Sequence, residues 1–261
     1  MLTTDFVPGA PDWLDLGSAD VEASSAFYGG LFGWTFRSAG PDAGGYGFFQ
    51  LDGRTVAAAG PPMGEGGAPR WTLYFHTADA DATAEAVEQA GGSVRFAPLD
   101  VFTAGRTAGF TDPTGAEFAV WQPGGTRGLD AVTDPGTLCW TELHTSDAAA
   151  ARAFYGTVLG WDAQDMPLGD FTYTVVSTSG GGQDASFGGV MPLLPEQQAA
   201  GVGSHWLPYF EVADCDAVVA RAQRLGGRVV MPPATMAGVG RMAQLKDPSG
   251  ASFSVIASAA G

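Results

Sequence analysis

A chain of 261 residues, 45% hydrophobic and 15% charged, has ample core-forming material, which excludes intrinsic disorder, and is long enough for two domains. Its 28 acidic residues against 12 basic ones give a formal net charge of −16. That balance excludes a nucleic-acid binder, which needs clustered Lys and Arg to neutralise phosphates, and reads instead as solubilising self-repulsion.

Trp13 to Ser18 alternates Leu14 and Leu16 on one face with Trp13, Asp15 and Gly17 on the other, the period of a strand. Asp20 is a helix start signal. The helix after it carries Ala23, Phe27 and Leu31 as an apolar stripe, and Gly33 stops it. Strand-like, glycine-punctuated runs follow at Tyr46–Leu51 and Thr55–Ala59. The same order then recurs: a strand at Thr72–Thr77, Asp79 or Asp81 as cap, a helix to Ala90, Gly91-Gly92 as stop, and short strands to Trp121.

The whole pattern is then repeated. Trp13, Asp20, Phe27, Tyr28 and Trp34 return 127 positions later as Trp140, Asp147, Phe154, Tyr155 and Trp161. Further on the offset is 135: Trp71, Tyr74, Gly105-Arg106 and Asp112-Pro113-Thr114-Gly115 return as Trp206, Tyr209, Gly240-Arg241 and Asp247-Pro248-Ser249-Gly250. The change of 8 calls for an insertion, expected at the polar stretch Pro195–Gly201. Two homologous domains follow, 10–123 and 136–258, with a turn-rich linker over 124–135. The expected class is α+β: four βαβββ modules in curved mixed sheets, helices on the outer face, the other face free to curl over a cavity. The modules can pair as neighbours within a half, first with fourth, or across two chains.

Several motifs in order, twice over, carry a family resemblance. They are Leu143-His144-Thr145-Ser146-Asp147 leading into Ala153-Phe154-Tyr155, Gly160-Trp161, Tyr209 to Asp214, and the Asp247-Pro248-Ser249-Gly250 turn, with their first-half counterparts. The chain resembles the vicinal oxygen chelate superfamily of glyoxalase I, bleomycin- and fosfomycin-resistance proteins and extradiol dioxygenases. It is most similar to two-domain bacterial members labelled glyoxalase-like or hydroxylase. The resemblance implies a divalent metal held between inward-facing strands and acting as a Lewis acid on two neighbouring substrate oxygens. At the three ligand positions, however, this chain has Trp13 and Trp140, Thr72 and Leu207, and Ala119 and Ser254, none a normal ligand of a catalytic divalent ion. No metal and no other cofactor is therefore expected.

Strand parity puts Trp13, Asp15, Trp140, Glu142 and His144 on the cavity side, with Tyr74 and His76 matched by Tyr209 and Glu211, and Glu117 and Trp121 matched by Ser252 and Ile256. Aromatic walls with a few polar groups suit a flat, partly apolar small molecule. A buried unpaired carboxylate costs several kcal/mol, so Asp15 and Glu142 need water or a cation. Arg106 and Arg241, each six residues before the Asp-Pro turn, are the candidates, either as ion-pair partners or as receivers of an anionic ligand. Glu142 and His144 point the same way, and with Glu211 facing them would have the residue types for general acid–base catalysis. His205 reads as a loop or hydrogen-bonding residue, and the two Asp-Pro turns as turn chemistry. Ser179–Gln183 lacks the ending and the helix of a phosphate loop.

The expected protein binds a small organic molecule without a metal, in secondary-metabolite binding, resistance or detoxification. The alternatives are a metal-independent lyase, isomerase or hydroxylase-like enzyme using Glu142, His144 and Glu211, then a metal-dependent glyoxalase- or dioxygenase-type enzyme, then a protein-interaction role. Neither nucleic acid nor membrane is an expected partner: no apolar run approaches the roughly 18 residues of a membrane helix. Met1–Gly9 carries no signal-peptide pattern, and Cys139 and Cys215 have no metal spacing and read as reduced. A cytoplasmic monomer or homodimer is expected.

Overall fold

The computed structural model describes residues 1–62, 67–169 and 171–259. The first half runs β1 (Pro11–Gly17), α1 (Val21–Phe32), β2 (Thr35–Ser38), β3 (Gly47–Leu51), β4 (Arg54–Gly60), then β5 (Arg70–His76), α2 (Ala80–Gln89), β6 (Ser93–Val101), β7 (Gly105–Thr111) and β8 (Glu117–Pro123). The second half repeats it as β9 (Leu138–Thr145), α3 (Ala148–Leu159), β10 (Asp162–Leu168), β11 (Phe171–Ser177), β12 (Ser186–Pro192), a short α4 (Pro195–Ala199), then β13 (His205–Glu211), α5 (Cys215–Arg224), β14 (Arg228–Met236), β15 (Gly240–Lys246) and β16 (Ser252–Ser258). This is the α+β arrangement of four βαβββ modules. In each module the last strand pairs with the first in parallel, as β4 does with β1 and β12 with β9, and the remaining pairings are antiparallel. No helix among the described residues is long and apolar enough to cross a membrane.

Local signals set the helix ends. The Asp20 carboxylate accepts the Ala23 N–H at 2.9 Å, and Gly33 closes α1 in the left-handed region at φ 79°, where a Cβ is costly. Asp147 and Gly160 do the same for α3, while Asp79 and Asp214 cap α2 and α5. Of the two candidate caps before α2, Asp79 is the one whose side chain accepts backbone N–H groups. The buried stripe of α1 differs from the expected one: Ala23 is exposed, and Ser24, Phe27, Tyr28 and Leu31 face inward. The i, i+3, i+4, i+7 spacing of these four makes a wider face than a strict i+4 row.

The inserted residues are also distributed differently. Register pairs Asp15 with Ala58 and Glu142 with Gly189, so the offset is already 131 at β4 and β12. Half of the extra length therefore lies before β12, where Thr178–Ala185 replaces the tight Asp52-Gly53 turn, and half after it, around α4. A hairpin connection absorbs residues without disturbing its ladder, so two short additions disturb less than one long one.

By their contacts the modules group into two compact units that cut across the repeat. One contains Met1–Trp13, Thr72–Gly128 and Trp140–Leu207, hence the second and third modules; the other contains Leu14–Trp71, Leu129–Cys139 and Pro208–Gly261, hence the first and fourth. In the first of these units α2 packs against α3, and in the second α1 packs against α5.

Each unit is centred on one buried tyrosine. In the unit of the second and third modules, Tyr155 stacks on Trp161 with centroids 4.7 Å apart, receives the Trp206 indole N–H at 3.0 Å and donates its own hydroxyl to Asp112 at 3.0 Å. In the other unit Tyr28 stacks on Trp34 at 5.6 Å, receives Trp71 at 3.0 Å and donates to Asp247 at 3.2 Å. Burial, then the neighbouring carboxylate, pushes both hydroxyls well above the usual tyrosine range, so they remain neutral donors. The Asp-Pro turns thus do two things. One carboxylate oxygen closes the turn, accepting Ala116 N–H at Asp112 and Ala251 N–H at Asp247, and the other anchors the core tyrosine.

Candidate functional site

The period of β9 sets Trp140, Glu142 and His144 side by side on one face of a strand in the unit of the second and third modules. His144 Nε2 donates to Glu142 Oε1 at 2.8 Å. The other carboxylate oxygen accepts the Tyr173 hydroxyl at 2.9 Å, and that hydroxyl in turn accepts the Trp140 indole N–H at 3.0 Å. His205 stacks on His144 with centroids 5.0 Å apart and planes 16° from parallel, while its own Nδ1 donates to the Gly203 carbonyl. Glu142 and His144 are 7% and 6% exposed, so the network is sheltered from water. Within it one atom stands out. His144 Nδ1 is buried and makes no hydrogen bond.

Tyr173 reaches this cluster across an intervening strand. It lies on β11, and β12 runs between β11 and β9 with Gly189 opposite Glu142. A Cβ on Gly189 would overlap the Tyr173 hydroxyl, so the glycine makes room for the ring to cross. The first module keeps half of the arrangement. The Tyr46 hydroxyl donates to Asp15 at 3.2 Å, and Gly17 stands where His144 would be. Tyr46 and Tyr173 are themselves 127 positions apart, so the signal for this pair lies in the repeat.

The other expected residues are distributed more widely. Tyr74 and Trp121 are buried in the same unit, and the Trp121 indole donates to the Thr126 carbonyl. His76 Nδ1 donates to Asp12 at 3.1 Å, a pairing the sequence did not suggest, since the parity of β1 turned Asp12 away from the predicted site. Asp12 is fully buried, its Oδ1 has no hydrogen-bond partner, and burial raises its carboxyl from the ordinary 3.8 to about 7 while the His76 hydrogen bond and charge pull the other way. Trp13 and Tyr209 are buried.

Two expected associations are corrected. Glu211 falls in the other unit from Glu142 and His144, where its carboxylate accepts the Ser258 N–H at 3.0 Å and hydroxyl at 2.6 Å. Arg106 and Arg241 are not the partners of Asp15 and Glu142. Arg106 forks onto Asp81 at 2.8 and 3.0 Å and reaches Asp100 at 2.8 Å, and Arg241 forks onto Asp216. Asp81 and Asp216, in the first turns of α2 and α5, each offer both carboxylate oxygens to the guanidinium fork, a stronger pairing than a single hydrogen bond.

The residues do not fit the metal that the resemblance implies. Indoles, Thr72, Ala119, Leu207 and Ser254 offer no imidazole or carboxylate at the three ligand positions. Among the described residues, no group of three or more His, Cys, Asp or Glu side chains is placed to hold an ion.

Known proteins resemble this chain over nearly all its length. It is 44% identical over 271 residues to the anthracycline biosynthesis protein DnrV of Streptomyces peucetius, covering 97% of this chain and 94% of that protein. It is 39% identical over 259 residues to CFP32 of Mycobacterium bovis, named as a candidate glyoxylase, covering 97% and 96%. Among solved structures, its fold matches the 2,2',3-trihydroxybiphenyl 1,2-dioxygenase of Sphingomonas wittichii with a TM-score of 0.65 at 19% identity, over 96% of this chain and 90% of that one. It also matches an Mn(II)-bound glyoxalase of Novosphingobium aromaticivorans with a TM-score of 0.60 at 19% identity, over 95% and 83%. The sequence profile of the Glyoxalase/Bleomycin resistance protein/Dioxygenase superfamily matches residues 10–120 and again 137–255, and the chain belongs to that superfamily.

Proposed function

We propose that the chain binds a flat, hydroxylated small organic molecule at the Trp140–Tyr173–Glu142–His144 cluster, without a metal. The observation that carries this reading is His144 Nδ1, a buried atom with no partner in a network whose other polar atoms are engaged. Leaving a buried acceptor unsatisfied costs about 1–3 kcal/mol, and a ligand hydroxyl donating to Nδ1 removes that cost. Trp140 and Tyr173 supply aromatic surface beside it, and the name of the Streptomyces relative points to a fused-ring aromatic of the anthracycline class. Secondary-metabolite binding, resistance or detoxification in the cytoplasm, by a monomer or homodimer, accompanies this reading.

Titration with an anthracycline aglycone tests it. Tryptophan fluorescence should quench saturably, and His144→Ala should weaken binding by about tenfold, the value of a hydrogen bond to a buried acceptor. Equal affinity of wild type and His144→Ala would remove the cluster from the binding site. Elemental analysis of untreated protein checks the second half of the proposal, because a stoichiometric divalent metal would overturn it.

A second reading rests on the direct Glu142–His144 hydrogen bond. That pair can act as a metal-independent general acid–base couple in a lyase, isomerase or hydroxylase-like reaction, now without Glu211. Glu142→Gln should then lower turnover by about 10²- to 10⁴-fold with folding intact; an unaltered rate ends the catalytic reading and leaves the binding one standing.

A further inference from the structure

The buried Asp12–His76 pair belongs to neither reading above. Its geometry is that of an oriented base. Asp12 is fully buried and holds His76 Nδ1 at 3.1 Å, whereas the His76 side chain is 17% exposed. An imidazole that donates from Nδ1 to a carboxylate presents the lone pair of Nε2 on its other edge, and His76 Nε2 makes no hydrogen bond among the described residues. Asp12 Oδ1 is likewise left without a partner.

Comparison of the halves shows that this pair is no by-product of the fold. Cys139 and Glu211 stand at the places of Asp12 and His76, and Glu211 is sealed by the N–H and hydroxyl of Ser258. Where the second half has Ser258 the first half has Pro123, which has no N–H and no hydroxyl, so the same seal cannot form over His76. The surroundings are aromatic. Trp121 is the register partner of His76 across β5 and β8, and Tyr74 precedes it by two residues on the same face.

We propose that His76, oriented by Asp12, is a second, separate site that binds an acidic aromatic hydroxyl (a phenol or enol) as its anion. The ligand's O–H bond breaks, its electron pair stays on the ligand oxygen, and the proton goes to His76 Nε2. The imidazolium formed lies between that oxyanion and the Asp12 carboxylate. His76 is the proton acceptor, and Asp12 is a positioning residue.

The test uses the full chain and 2-naphthol, in a buffer where the free probe is neutral and Asp12 is ionised. The naphtholate absorbance band should appear and saturate with wild type. In His76→Gln the association constant read from that band should fall about tenfold or more, the scale of a charge-assisted hydrogen bond. A wild type that produces no band, or a His76→Gln variant within about twofold of it, overturns the proposal. A second measurement does not depend on the variants folding. Nitrogen chemical shifts of His76 in the free wild type should show Nδ1 protonated and Nε2 bare; the opposite tautomer overturns it. Asp12→Asn should change that tautomer and weaken the band, and an unchanged tautomer would deny Asp12 its positioning role.

Discussion

Removal of one hydroxyl, Tyr155→Phe, probes how the unit of the second and third modules is held together. The hydroxyl links the Trp206 indole N–H to an Asp112 carboxylate oxygen, both at 3.0 Å, and the two partners are 6% and 3% exposed. Phenylalanine keeps the ring stacked on Trp161 but strands a buried donor and a buried acceptor. A lost hydrogen bond to a charged group costs about 1.5–3 kcal/mol and a neutral one about 1 kcal/mol, for a destabilisation of about 2.5–4 kcal/mol. In a chain of this length about 1 kcal/mol moves Tm by roughly 2–4 °C, so calorimetry should record a fall of about 5–16 °C. Tyr28→Phe in the other unit removes the equivalent link, at 3.0 Å to Trp71 and 3.2 Å to Asp247, and should cost a comparable amount. The double variant Tyr155→Phe with Asp112→Asn should be markedly less than additive, because the two residues share one bond. A Tm within about 2 °C of wild type for Tyr155→Phe would refute the claim that this hydroxyl anchors the core.

Other consequences follow from single contacts. Burial raises the Asp12 carboxyl from 3.8 to about 7, so the folded state holds that proton more tightly than the unfolded chain. Its contribution to stability is fully present below pH 3.8 and is lost as pH rises through about 7. Urea unfolding should thus show wild type losing up to about 4 kcal/mol relative to Asp12→Asn across that window, at about 1.4 kcal/mol per pH unit of separation; parallel profiles for the two would contradict it. Gly189→Ala should push Tyr173 off Glu142 and weaken the proposed binding of an anthracycline aglycone, read by fluorescence titration, while Gly203→Ala, a position with open space around its Cβ, leaves that titration unchanged. Arg106→Ala breaks only exposed ion pairs with Asp81 and Asp100 and should leave the urea midpoint nearly unchanged, with ligand affinity retained; a clear loss of affinity would assign Arg106 to the site.

Much of the fold was legible because it is local. Asp20, Asp79, Asp147 and Asp214 cap their helices through their own carboxylates, and Gly33 ends α1 through its own φ. The candidate site was legible only along one strand. The period of β9 brought Glu142 and His144 together, but Tyr173 arrives from β11 across Gly189, which requires a register that no single-strand pattern contains. Asp12 is not legible in the sequence because parity assigns only a face, whereas the contact with His76 is made between neighbouring segments, with His76 N–H donating to the Ala10 carbonyl.

By itself the amino-acid order determined the repeat, by comparison of the chain with itself, and the four modules, their helix caps and which side chains share a strand face, since each of these depends on residues only a few positions apart. Tertiary structure alone decided that the first module packs with the fourth and the second with the third. The amphipathic faces of the four modules are too alike for their patterns to name a partner, and the contacts that meet across each pair are tertiary: Tyr28 with Phe253 and Asp247, Tyr155 with Phe118 and Asp112. The same holds for charge. Arg106 had several carboxylates within reach of its sequence, and the three-dimensional arrangement of α2 against β7 gave it Asp81.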